Sequence, residues 1–84
     1  MNELIDFLIS NDVDYEEDNR TLIFKYKSCR YIFNFKLKTF RVMTAFISSY
    51  GTFKDFECRK DNCNNYIEIF IADGSTIIWF DKEN

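Results

Sequence analysis

The chain has no histidine, no proline and only two glycines, Gly51 and Gly74, in 84 residues. Without histidine, no Ser-His or Cys-His relay can be assembled from it. Two isolated glycines do not make a Gly-rich phosphate loop. No apolar run approaches the roughly 20 residues a membrane-crossing helix needs. The start, Met1-Asn2-Glu3-Leu4-Ile5-Asp6, lacks a basic segment and a long apolar stretch, so no signal peptide is expected. Three cysteines, an odd number, then read as reduced thiols in a cytoplasmic setting. Cys58 and Cys63 share a loop region, but structural zinc takes four Cys or His ligands. No metal or cofactor is therefore expected. The nearest approach to a nuclease-like set is Asp55, Glu57 and Arg59, too sparse to predict an enzyme.

Aromatic residues and sorted charge are what the chain has in quantity. Ten Phe, five Tyr and one Trp supply a large buried area for a chain short enough to form a single domain, 1–84. Residues 1–19 hold seven acidic side chains and no basic one, whereas residues 20–41 hold seven basic side chains and no acidic one. Such asymmetry directs association more than it directs folding. Phe, Tyr, Met, Ile, Asn and Lys make up half the chain, which points to an AT-rich genome such as that of a low-GC bacterium, its phages or a large virus.

Periodicity predicts an α+β fold, an antiparallel sheet of about six strands with two helices. The first helix is expected over 3–11, with Leu4, Ile5, Leu8 and Ile9 on one side and Asn2 as cap. Residues 13–16 read as a short strand. Alternation over 21–27 and 31–37 predicts a hairpin, with Leu22, Phe24, Tyr26, Tyr31, Phe33, Phe35 and Leu37 on its inner face. Met43, Phe46, Ile47 and Tyr50 fall at helical spacing, so 40–50 is expected as a second helix, capped by Thr39 and closed by Gly51; a strand there is the alternative. A strand over 52–58 precedes a last hairpin, 66–71 and 75–81, turning at Asp73-Gly74.

The two halves resemble each other. Residues 4–18 lie over 42–56 at a shift of 38, and the two hairpins superimpose at a shift of 45. This predicts two tandem α-β-β-β units, 1–38 and 39–84. Over residues 1–50 the order helix, three strands, helix also resembles that of a double-stranded-RNA-binding domain. The resemblance covers order alone, because that family's basic, Ala-rich second helix has only Arg41 as a counterpart cation in 40–50.

Three surfaces follow. Asp12, Asp14, Glu16, Glu17 and Asp18 form a dense acidic array able to imitate phosphates in another protein's basic channel. Tyr66, Glu68, Phe70, Ile77 and Trp79 share the outer face of the last hairpin, where aromatic side chains serve as binding anchors; a second copy of the chain is one way to cover that patch. Lys25, Lys27, Lys36 and Lys38 are placed on the outer face of the first hairpin, with Arg30 near its end, where they would engage nucleic acid by charge. The expected function is a non-catalytic protein binder: a small phage or mobile-element inhibitor of a host nucleic-acid-handling or defence protein, of the anti-CRISPR kind. A nucleic-acid binder and an antitoxin or immunity-type binder are the alternatives.

Overall fold

Leu4 and Leu8, one helical turn apart, are fully buried on α1, which spans Asn2–Ser10. The computed structural model describes residues 1–62 and 64–81. The helix starts one residue earlier than periodicity suggests, because the Ile5 N–H already donates to the Met1 carbonyl at 3.0 Å. Met1 occupies the cap position and offers no side-chain cap, so Asn2 lies inside the helix. Burial of each leucine contributes about 2 kcal/mol.

The end of α1 is built with care. The Val13 N–H donates to Leu8 O (2.9 Å) and the Asp12 N–H to Ile9 O (3.1 Å). These are the two bonds of a Schellman motif, with Asp12 in the left-handed conformation (φ 56) that glycine usually supplies. Val13 and Leu8, the two apolar positions of that motif, are both buried. The Ser10 hydroxyl and the Asn11 amide donate to Asp6 O and Phe7 O, satisfying further helix carbonyls.

The chain divides into two compact units, Met1–Thr52 and Phe53–Asn84. In the first, α1 is followed by a five-stranded antiparallel meander: β1 (Tyr15–Asp18), β2 (Thr21–Tyr26), β3 (Cys29–Asn34), β4 (Thr39–Met43) and β5 (Ser48–Thr52). Each strand pairs with its sequence neighbour. The inner face carries Leu22 opposite Phe33 and Phe24 opposite Tyr31. Leu22, Phe24 and Phe33 are buried, and the Phe24 ring stacks on Tyr31 (5.0 Å) and Phe33 (5.9 Å).

The expected second helix does not exist: residues 40–50 form β4, a loop and β5. The physical reasons lie in the residues. Val42, Thr44 and Ile47 are β-branched and resist helix. The Thr44 Oγ1 accepts from the N–H of Phe46 and of Ile47, and the Thr44 N–H donates to Ile47 O at 2.8 Å, which shapes a hairpin loop. Arg41 then lies directly opposite Tyr50, its guanidinium carbon 5.6 Å from the ring centroid. Gly51 is a mid-strand residue and not a helix terminator. A Cβ there would lie 3.2 Å from two atoms of the Phe40 ring, which occupies the space. With the helix gone, the second half is not an α-β-β-β unit, and among the described residues eight strands in two sheets replace the six expected.

The turns of the meander are tight. Asn19-Arg20 and Lys27-Ser28 each place both central residues at positive φ (44 and 67; 50 and 65), as a type I′ turn requires. The right-handed twist of the flanking strands selects that turn even without glycine. β3 ends at Asn34, three residues before the alternation does. The Asn34 Oδ1 accepts from the Lys36 and Leu37 N–H groups (3.1 and 2.9 Å) and bends the chain away.

The second unit is a three-stranded antiparallel meander: β6 (Asp55–Asp61), β7 (Asn64–Ile71) and β8 (Gly74–Phe80). Ile67, Ile69, Ile78 and Phe80 share one face and are buried. The turn is Ala72-Asp73 and not Asp73-Gly74, so Ile67 opposes Ile78 and Ile69 opposes Thr76. Gly74, at φ 150, completes the turn from the strand side. The two-residue slip leaves every side chain on its expected face, because strand periodicity is two. The register also keeps the shift of 45: Leu22–Phe33 and Ile67–Ile78 are equivalent pairs.

Candidate interaction surfaces

In the first unit, β1 begins only at Tyr15, opposite Phe24, so Lys25 and Tyr26 of β2 run on past its end. Residues 11–14, coming off α1, leave an open cleft of about 740 Å³ there. Asp12, Asp14 and Glu16 line it together with Lys25, Lys27 and Arg30, and Val13, Tyr15, Phe24 and Tyr26 supply apolar wall. Three of the five acidic residues and three of the five basic ones thus share one depression. Among the described residues, no ion pair joins Asp12, Asp14 or Glu16 to Lys25 or Arg30.

The acidic run does not form one surface. Asp12 is the residue closing α1. Glu16 and Asp18 project on one side of β1, opposite Ile23 and Thr21, and Glu17 projects on the other, opposite Leu22. The basic set divides as well. Lys25 pairs across the strands with Arg30, and Lys27 sits in the adjoining turn with its Nζ 5.5 Å from the Tyr26 ring centroid. Lys36 and Lys38 belong to the turn after β3, at the opposite end of the hairpin, so the expected four-lysine face is absent.

Tyr31, on the inner face beside Cys29, has its phenol pushed up to about 12, first by burial and then by the neighbouring Cys29.

In the second unit the outer face gathers what the alternation predicts, and adds a third strand. Arg59, Tyr66 and Trp79 form one cross-strand row; Glu57, Glu68 and Ile77 form the next; Asp55, Phe70 and Ser75 form the third. The Tyr66 and Trp79 rings pack at 4.7 Å with a 43° tilt. Arg59 Nε lies 2.9 Å from Glu57 Oε1, and the hydrogen bonds that the guanidinium donates to Glu57 and Tyr66 hold it above its ordinary pKa. The Ser75 hydroxyl donates to Glu68 Oε1 at 3.2 Å. Trp79 and Ile77 are each 42% exposed, a large apolar area to leave in water. Sequence reasoning missed Glu57 and Arg59 as members of this face. Their polar alternation along β6 carried the signal.

No protein-family model, curated protein or solved structure matches this chain.

Among the described residues, no group of three or more Cys, Asp or Glu side chains converges to hold a metal ion. Cys58 lies on β6 opposite Ile67, and Cys63 lies outside the described residues. Among the described residues, no helix is long and apolar enough to cross a membrane.

Proposed function

We propose that this chain is a non-catalytic protein-binding module that docks through the outer face of β6, β7 and β8. The observation that carries the reading is Trp79, exposed yet held in place by Tyr66 within an ordered row that ends in Arg59. Trp, Tyr and Arg are the residue types that dominate binding hot spots, and fixing them before contact lowers the entropy cost of binding. Ile77 and Phe70 widen the apolar area, and Glu68 borders it.

The charge on β1 supports a partner with a basic surface. Glu16, Glu17 and Asp18 are exposed along that edge strand, where complementary charge speeds encounter. A host nucleic-acid-handling or defence protein offers such a surface, and a small phage or mobile-element inhibitor of the anti-CRISPR kind is the role that fits. An antitoxin or immunity-type binder would use the same surface on a different target. The nucleic-acid reading now rests on Lys25, Lys27 and Arg30 alone, beside acidic neighbours that oppose it.

A tagged pull-down from native host lysate, with nuclease treatment, tests the proposal. Wild type should recover a stoichiometric protein that survives nuclease, and Trp79→Ala should lose it while keeping its circular dichroism. Equal recovery by Trp79→Ala would remove the aromatic face from the mechanism. Recovery of nucleic acid alone, lost at high salt, would move the function to the Lys25–Arg30 end of the first unit.

A further inference from the structure

Each sheet has one charged edge and one bare edge. In the five-stranded sheet, edge β1 carries Glu16, Glu17 and Asp18, and edge β5 carries no charge. In the three-stranded sheet, edge β6 carries Asp55, Glu57, Arg59, Lys60 and Asp61, and edge β8 carries none from Gly74 to Phe80. Proteins protect edges with charge, proline or bulges, because an edge exposes unpaired backbone groups. β8 has no such protection along its length. β5 is nearly as bare, but its small side chains, Ser48, Ser49, Gly51 and Thr52, would bury little on pairing.

We infer that β8 is a self-association edge, pairing antiparallel with β8 of a second copy of this chain about a two-fold axis at Ile77. This goes beyond the docking face proposed above and does not depend on it. The choice of a second copy comes from the order of side-chain sizes. The first half of β8 is small (Gly74, Ser75, Thr76) and the second half large (Ile78, Trp79, Phe80). Antiparallel self-pairing at Ile77 sets Trp79 against Ser75 of the second copy, Ile78 against Thr76, Phe80 against Gly74, and Ile77 against itself. Apart from Ile77 on the axis, every large residue meets a small one, and the glycine is flanked by an aromatic ring. The space beside Gly74 is open: a Cβ there would touch nothing within 4 Å.

The backbone phase agrees. A two-residue turn makes Ile71–Gly74 a hydrogen-bonded pair, and pairs alternate from there. Thr76 and Ile78 therefore bond to β7, while the N–H and C=O of Ser75, Ile77 and Trp79 point off the open edge. Residues 75, 77 and 79 are the ones this register joins across the axis. The product is a six-stranded sheet that carries the Trp79–Tyr66 patch twice on one face.

Sedimentation velocity of the full chain over a wide concentration range tests the inference, with amide hydrogen exchange read in parallel. The expected result is a reversible dimer in which the Ser75, Ile77 and Trp79 amides become protected as concentration rises. Ile77→Lys sets two like charges directly opposite each other and should weaken the dimer at least about 100-fold. Ser75→Pro removes an outward N–H while sparing the β7 ladder, and should weaken it too. A monomer at every concentration would overturn the inference, as would a dimer whose Ser75, Ile77 and Trp79 amides stay unprotected. The wild-type exchange data decide the matter even if a variant fails to fold.

Discussion

Replacing Asp12 by glycine should make the protein more stable, although Asp12 belongs to the acidic run read as functional. Two local terms oppose aspartate at this position. It is the C′ residue of the Schellman motif, at φ 56, where an L side chain meets steric cost of about 1 kcal/mol. It also sets a negative charge at the negative end of α1, whose last turn holds no basic residue, for about 0.5 kcal/mol more. Glycine relieves both but adds freedom to the unfolded chain, which takes back about 0.7 kcal/mol. The net expectation is a gain of about 1 kcal/mol, a rise in melting temperature of roughly 4–8 °C for a chain of this size. Thermal and urea unfolding followed at 222 nm would measure it. Asp12→Asn, which tolerates the same φ and removes only the charge, should recover about half the gain. A loss of stability in both variants would refute the argument, and would mean that the Asp12 carboxylate makes a stabilising contact stronger than the two opposing terms.

Two further outcomes follow from the inner face of the first unit. Tyr31 should deprotonate near pH 12 in the folded chain and near 10 when unfolded, so the native state holds the proton longer and stability falls as pH rises from 10 to 12. An NMR titration of the ring carbon bearing the hydroxyl would show it, and a midpoint near 10 with the fold intact would contradict the burial argument. Gly51→Ala should cost about 1 kcal/mol in urea unfolding by forcing the Phe40 ring aside, and Phe40→Leu should remove most of that penalty.

The elements legible in the sequence were those whose pattern had one interpretation. The Leu4–Leu8 spacing, the Leu22–Phe24 and Phe33 alternation and the outer-face set of β7 and β8 all reappear in the structure. Residues 40–50 failed because Met43, Phe46, Ile47 and Tyr50 satisfy a helical period by coincidence, while the choice was made by Thr44 capturing two backbone N–H groups. Phe46, one of the four residues at helical spacing, is 96% exposed in the loop between β4 and β5. The lysine face failed for a similar reason. Asn34 folds its side chain onto Lys36 and Leu37 and ends β3 early, a competition between side chain and ladder that alternation does not register. The acidic and basic blocks were visible as composition. Their meeting in one cleft depends on β1 starting late, which only the pairing with β2 reveals.

The neighbour-only pairing of both sheets bears on how this chain reaches its fold. Every ladder joins segments separated by a short turn, so none requires closure of a long loop before it is rewarded. All-β chains are usually slow folders because their partners are far apart along the sequence. Here each hairpin can close as soon as its second strand leaves the ribosome, and the five-stranded sheet can grow one strand at a time from β1 toward β5. The two turns held at positive φ without glycine flank β2, so this growth passes through both of them within its first three strands.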